Sequence, residues 1–210
     1  MRTSKLQLTF NSSQQVKLDK IRSIFLPFTT RIYIVGGFLR DAAMGIVSDD
    51  IDIEVFGIDK ELMKTIVKKY DLQVLSEKFH VYNMEGIDIA LPRIEKKTSK
   101  GYHGFEIEIV DDEELSTQRR DFTVNSLMYN ITQNKLLDFH GGMDDIDNKL
   151  LRAVNCDSFT DDSLRMVRAV RLMAQYGFKV HSETKLLLNQ MNLDELSKSR
   201  INKELQKAFK

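Results

Sequence analysis

The most constraining feature of the chain is a glycine pair followed closely by two aspartates that flank one apolar residue. Gly36 and Gly37 come directly after the apolar run Ile32–Val35, and Asp50 and Asp52 alternate with isoleucines further on. This pattern predicts a buried strand, a tight turn, a short helix and a second strand. On one face of that strand the two carboxylates would lie about 7 Å apart, so they could share divalent cations.

Paired carboxylates of this kind are typical of two-metal nucleotidyl transfer, in which the ions lie roughly 3.5–4 Å apart. Mg²⁺ is the expected ion because it prefers hard carboxylate and phosphate oxygens. A glycine turn lets the backbone approach a triphosphate, and Arg40, one turn further on, is a candidate phosphate contact. Taken singly, an Asp-x-Asp is usually a solvated edge and a glycine pair a simple turn, so the ordered combination carries the hypothesis.

The order of motifs resembles that of the class II tRNA nucleotidyltransferases (CCA-adding enzymes) and bacterial poly(A) polymerases, within the polymerase-β-like superfamily. Their first motif, Gly-Gly-x-x-Arg-Asp, Gly and Asp-x-Asp, is matched by Gly36, Gly37, Arg40, Asp41, Gly45, Asp50 and Asp52. The second to fifth motifs resemble residues 119–126, 138–146, 161–171 and 199–205. Asp161 stands where the family usually has Glu, which shortens one carboxylate arm.

This resemblance implies an α/β (α+β) fold with two parts. A nucleotidyltransferase head with a mixed sheet is expected over residues 1–154, and an all-helical, nucleotide-selecting neck over residues 155–210. Strands are predicted at 31–35, 50–55, 86–91 and 105–109, and a flexible loop at 94–104. Helices are predicted at 12–25, 38–44, 60–69, 113–129, 161–176, 182–191 and 200–209.

The fourth motif carries the expectation about base choice. Asp162 and Arg165 are three residues apart in a predicted helix, and Arg168 and Arg171 continue along that side. An acceptor beside a donor fork complements a base edge with an amino group next to an unprotonated ring nitrogen, as in cytosine and adenine. From spacing alone a structural ion pair is the simpler interpretation. The resemblance implies instead that these four residues, with Arg120 on the triphosphate, bind CTP or ATP.

Asp88 is the acidic residue of an otherwise apolar predicted strand. It is either a third carboxylate near the metals or an exposed edge residue. Asp50 and Asp52 are the expected catalytic and metal-binding residues in both cases.

Composition is that of an ordinary globular protein, with 42% apolar and 30% charged residues and a net charge of zero. The apolar runs are too short for a membrane span, and the single cysteine, Cys156, suits a reducing, cytoplasmic setting. Zero net charge argues against strong RNA binding by these residues alone.

The expected function is template-independent addition of C, A or both to the tRNA 3′ end, using CTP and ATP. The alternatives are a poly(A) polymerase and a catalytically idle nucleotide- or RNA-binding module. Family members normally continue into helical body and tail domains that grip tRNA, whereas this sequence stops at Lys210. A further domain or a partner chain is therefore expected to supply RNA binding.

Overall fold

The computed structural model describes residues 6, 8–98, 104–194 and 196–209. It contains eight α-helices and eleven strands within those ranges. The helices are α1 (Ser12–Phe25), α2 (Gly37–Ala43), α3 (Lys60–Tyr70), α4 (Glu113–Thr117), α5 (Gly142–Asp147), α6 (Leu164–Tyr176), α7 (Ser182–Gln190) and α8 (Lys198–Gln206). The strands are β1 (Ile32–Val35), β2 (Asp52–Val55), β3 (Gln73–Ser76), β4 (Val81–Met84), β5 (Ile87–Ala90), β6 (Arg93–Lys97), β7 (Phe105–Ile109), β8 (Met128–Asn130), β9 (Lys135–Leu137), β10 (Leu150–Leu151) and β11 (Lys179–Val180).

Seven strands form one mixed sheet in the order β3-β4-β5-β2-β1-β8-β9. Every neighbouring pair in it is antiparallel except β2 and β5, which run parallel. β6 and β7 form a separate hairpin. The α/β class with a mixed sheet, expected from the sequence, is confirmed.

The two faces of the central strands carry different kinds of residue. Across β1 and β2, Val35 pairs with Asp52 and Tyr33 with Glu54, so these four side chains share one face. The opposite face packs against α1, α2 and α3 in the main core. Buried residues of that core include Leu18, Ile21, Phe25, Ile32, Ile34, Leu39, Ile53, Val55, Met63 and Ile66. The helices thus cover one face and leave the acidic one to build a site.

The prediction of a single helix over residues 113–129 is wrong beyond Thr117. α4 ends at Thr117, a 3-10 helix spans Thr123–Asn125, and β8 begins at Met128. β8 pairs with β1 in the centre of the sheet. Sheet pairing and burial therefore override the helical periodicity of this segment.

Two further expectations need correction. The predicted loop at 94–104 is strand β6 up to Lys97, and residues 99–103 lie outside the described residues. After residue 154 the regular elements of the described residues are helices, apart from β11, which pairs with β10 from before that boundary. One buried core also contains residues from both sides of the boundary. The division at residue 154 therefore stays a prediction.

In the described part of the chain, no helix combines the length and the apolar character needed to cross a membrane.

Gly142 tests how tightly the third motif supports the 3-10 helix. A Cβ there would lie 2.3 Å from the Thr123 carbonyl oxygen. We therefore expect Gly142→Ala to lower the free energy of unfolding, measured in urea, by about 3 kcal/mol. Gly141→Ala is the matched control. Its φ is +73° and no described atom lies within 4 Å of its Cβ position, so only backbone strain of about 1 kcal/mol is expected. Equal losses in both variants would contradict this packing account.

Candidate active site

A polar cavity of about 290 Å³ lies between the acidic sheet face and the start of α6. It brings together residues from three of the five sequence motifs, the first, the second and the fourth. Its lining comprises Gly36, Gly37, Asp52, Glu95, Phe105, Arg119, Arg120, Asp121, Asn125, Ser158, Asp161, Asp162, Leu164, Arg165 and Arg168. Seven of the predicted site residues are in this set, namely Gly36, Gly37, Asp52, Arg120, Asp162, Arg165 and Arg168.

Asp52 is the first residue of β2 and faces the cavity. Asp88 of β5 is its register partner in the parallel pair, so both carboxylates lie on the same sheet face. Burial, together with Asp50 and Asp88 nearby, raises the pKa of Asp52 to about 6. Asp88 also accepts a 2.6 Å hydrogen bond from Asn83. Of the two interpretations of Asp88, the register supports a carboxylate beside Asp52.

Asp50 does not lie on the strand as expected, because β2 begins two residues later. Its side chain is 81% exposed, with Lys207 Nζ 3.8 Å from its Oδ2. Within the described residues, no three His, Cys, Asp or Glu side chains converge as a metal-binding group. Asp52 and Asp88 therefore lie side by side on one sheet face, and Asp50 precedes the strand with an exposed side chain.

The glycine turn lies against Asp52 and Arg120. Gly36 has φ +79°, a conformation that favours glycine, and it precedes the first residue of α2. A Cβ at Gly36 would lie 3.4 Å from Arg120 Nη1 and 3.6 Å from Asp52 Oδ2. The turn therefore brings backbone, guanidinium and carboxylate within one small space.

Arg40 is not placed as the phosphate contact that the sequence predicted. Its guanidinium is buried and donates to Asp41, to Asn125 Oδ1 at 2.6 Å and to the Tyr176 hydroxyl at 3.2 Å. It also stacks over the Tyr176 ring at 4.7 Å. These contacts tie α2 to the second motif and to α6, so the structure supports a structural role for Arg40.

Glu54 is a buried acid beneath the cavity that the sequence motifs did not identify. It lies two residues after Asp52 on the same face and is 1% exposed. Its Oε1 accepts hydrogen bonds from Arg119 and, at 2.8 Å, from Arg120. Burial opposes its charge, yet the two guanidinium groups hold the pKa of Glu54 below its usual value. The alternation of acidic residues in β2 was the available signal for it.

Arg119 and Arg120 each keep one unpaired side-chain donor among the described residues. The Nε atoms of both are buried and, within the described residues, lack a hydrogen-bond partner. Burial lowers the pKa of Arg120, an effect that Glu54 opposes. Buried unpaired N–H groups beside a cavity are costly unless an anion or water satisfies them. Arg119 therefore belongs to the cavity with Arg120.

Asp162 and Arg165 both line the cavity, but not as two residues of one helix. Asp162 is extended and lies before α6, whereas Arg165 is in its first turn. Arg165 donates to the carbonyl oxygens of Ser158 and Arg119 at 3.0 and 2.8 Å. The simpler interpretation of an Asp162–Arg165 ion pair is wrong, because Asp162 is paired with Arg200.

Arg168 and Arg171 have different surroundings. Arg168 lines the cavity and donates to Asp121 Oδ2 at 2.6 Å, while Arg171 lies outside the lining and donates to Glu204 at 2.7 Å. Although burial opposes its charge, Asp121 and Glu204 raise the pKa of Arg168. Both arginines thus brace α8, and Arg171, predicted to bind nucleotide, has a structural role here.

The sequence profile of the family described as "Poly A polymerase head domain" matches residues 32–152. That match covers more than half of the chain, including the glycine turn, Asp52 and the second and third motifs. The chain belongs to the poly(A) polymerase head-domain family.

Relatives of this head-domain protein carry CCA names. A "Multifunctional CCA protein" from Xylella fastidiosa (strain M12) is 35% identical over 191 residues, covering 84% of this chain and 44% of the relative. One from Xanthomonas campestris pv. campestris (strain B100) is 33% identical over 192 residues, covering 85% and 45%. The chain therefore spans less than half the length of these curated relatives.

Solved structures agree with the fold. The Thermotoga maritima CCA-adding enzyme complexed with tRNA superposes with a TM-score of 0.67 at 28% identity, covering 91% of this chain and 47% of that one. The Bacillus stearothermophilus CCA-adding enzyme in complex with CTP gives 0.77 at 22% identity, covering 95% and 49%. The second likeness concerns the fold alone.

Glu54→Gln tests how much the buried ion pairs of Glu54 contribute to the stability of the fold. Removing its charge leaves two buried guanidinium groups without their counterion. We therefore expect the free energy of unfolding, measured in urea, to fall by about 3 kcal/mol. Glu61→Gln, in an exposed pair with Lys64, is the control and should leave the unfolding curve unchanged. An unchanged curve for Glu54→Gln would mean that Arg119 and Arg120 do not depend on Glu54.

Proposed function

We propose that this chain is the catalytic head and nucleotide-selecting region of a template-independent tRNA nucleotidyltransferase. It would add C, A or both to the tRNA 3′ end from CTP and ATP. The observation that carries the proposal is the cavity itself. Asp52, Arg120, Asp162 and Arg165 come from three separate motifs and line one 290 Å³ space.

The phosphate end of the nucleotide belongs at the sheet. Gly36 allows a close approach of the triphosphate, and Arg119 and Arg120 supply buried guanidinium donors above Glu54. Such preorganised charge favours a transition state in which negative charge builds on the transferred phosphoryl group. Glu54 holds the two guanidinium groups in place, and within the described residues their Nε atoms lack a hydrogen-bond partner.

Asp52 and Asp88, with Asp50 beside them, would hold Mg²⁺. The donor set fits because Mg²⁺ is usually bound by one or two carboxylates plus substrate phosphates rather than by a complete protein cage. The raised pKa of Asp52, about 6, reflects burial and neighbouring carboxylates, a clustering of negative charge that a cation relieves. When bound, the metal ions polarise the phosphate and activate the attacking hydroxyl.

The nucleobase belongs at the start of α6. Asp162 offers an acceptor, and Arg165 offers the guanidinium donors that its two carbonyl contacts leave over. Cytosine and adenine match these groups with an amino donor and an unprotonated ring nitrogen. Uracil and guanine present a carbonyl and a ring N–H there, so an acceptor would face an acceptor and a donor would face a donor. A site built on such hydrogen bonds can discriminate by about 10⁴.

The RNA substrate is proposed from the relatives. Curated relatives are named for CCA addition, and one structural neighbour was solved with tRNA. Because the chain spans less than half of those relatives, we propose that a further domain or partner chain supplies most RNA binding. A poly(A) polymerase, which would use ATP alone, is the alternative. A cytoplasmic location stays a prediction.

Asp52→Asn tests the catalytic assignment. We expect nucleotide incorporation to be abolished, because a metal-binding carboxylate is lost. The fold should remain, since removing one charge relieves repulsion from Asp50 and Asp88. Incorporation into a tRNA lacking its CCA end is measured beside a thermal melt. Asp147→Asn, an exposed aspartate at the end of α5, is the control. Near wild-type incorporation by Asp52→Asn would rule out Asp52 as the catalytic carboxylate.

Arg165→Ala tests base choice. We expect the ratio of CTP to UTP incorporation to fall at least about tenfold, because the donor that rejects uracil is removed. Arg22→Ala, which removes a partly exposed arginine of α1 outside the cavity lining, should leave that ratio unchanged. A lower overall rate with an unchanged ratio in Arg165→Ala would contradict base reading by this residue.

A further inference from the structure

Asp162 is held by a residue that belongs to a distant part of the chain. The Nη2 atom of Arg200 lies 3.1 and 3.0 Å from the two carboxylate oxygens of Asp162. The Leu164 backbone N–H adds a 3.1 Å hydrogen bond to Oδ1. Both oxygens are therefore fixed in position by donors of α6 and α8.

These contacts leave Asp162 able to bind a ligand. An ionised carboxylate has about four acceptor sites, and the three contacts use two on Oδ1 and one on Oδ2. The side chain remains 30% exposed and lines the cavity, whereas Arg200 approaches from outside the lining. Arg200 thus orients the carboxylate, and one acceptor site remains on Oδ2 of this cavity-lining residue.

The helix that carries Arg200 is itself anchored. Arg200 and Glu204 are four residues apart, so they lie on the same face of α8. Glu204 is 5% exposed and accepts hydrogen bonds from Arg168 at 3.3 Å and Arg171 at 2.7 Å. These hydrogen bonds join α8 to α6 one turn beyond Arg200. They therefore hold the part of α8 that positions the Arg200 guanidinium.

We propose that Arg200 is a positioning residue that sets base selection by aiming the Asp162 carboxylate. This inference rests on the proposed function, in which Asp162 reads the base. Asp162 needs such support because it lies in an extended linker, φ −122° and ψ 103°, between a 3-10 helix and α6. Hydrogen-bonded recognition requires the acceptor within about 0.5 Å of its productive position. α8 supplies that constraint from outside the nucleotide site.

The test measures dissociation constants of the whole 210-residue protein for CTP, ATP, UTP and GTP by calorimetry. The variants are Asp162→Ala, Arg200→Met, Arg200→Lys and the double variant. We expect Arg200→Met to lower the preference for CTP over UTP at least about tenfold, as Asp162→Ala does. In the double variant the Arg200 change should add nothing. Arg200→Lys should restore part of the preference, because one ammonium can replace the single nitrogen that contacts Asp162. Lys203→Met, an exposed basic residue of α8, is the control for lost charge.

The outcomes separate the inference from the proposed function. No preference for CTP or ATP in the unmodified protein, or an unchanged preference in Asp162→Ala, would overturn the proposed function and the inference with it. A preference lost in Asp162→Ala but kept in Arg200→Met would overturn the inference alone. Uniformly weaker binding of all four nucleotides in Arg200→Met would assign Arg200 to helix docking. Sharper selection in that variant would mean that Arg200 masks Asp162.

Discussion

The structure depends on pairing several charges that the fold buries. A buried ion without a partner is far more costly than a paired one, so each must be matched where it lies. Glu54 of β2 pairs with Arg119 and Arg120, and Asp121, the next residue, pairs with Arg168 of α6. Glu204 of α8 then pairs with Arg168 and Arg171. This series of ion pairs connects the sheet to the last helix along the wall of the cavity.

Such a series explains why the motifs lie close together although they are distant in sequence. The second motif lies between the sheet acid and the helical arginines, and the fifth closes the series from α8. The third motif acts on the backbone: Asp138 accepts hydrogen bonds from the amides of Gly142 and Met143 at 2.8 and 2.9 Å. That capping holds α5 beneath the 3-10 helix that carries Asn125. Most motif residues thus shape the cavity, and a minority face into it.

The sequence predicted the parts that depend on local pattern. The turn at Gly36, the acid at Asp52 and the helix from Lys60 were found because alternation and glycine placement report backbone geometry directly. Partner choice was less accessible. Spacing suggested Arg165 for Asp162, but the extended linker turns Asp162 toward Arg200, 38 residues away. The strand β8 was missed because its pairing with β1 is a tertiary effect.

The central claim is that this cavity transfers cytidylate or adenylate to RNA and rejects the other two bases. The most direct measurement incubates the protein with Mg²⁺, a tRNA transcript lacking its 3′ CCA, and one labelled nucleoside triphosphate at a time. The account predicts that label from CTP, ATP or both extends the transcript, while UTP and GTP give none above background. Equal incorporation of all four nucleotides, or incorporation of UTP or GTP in preference to CTP and ATP, would contradict it.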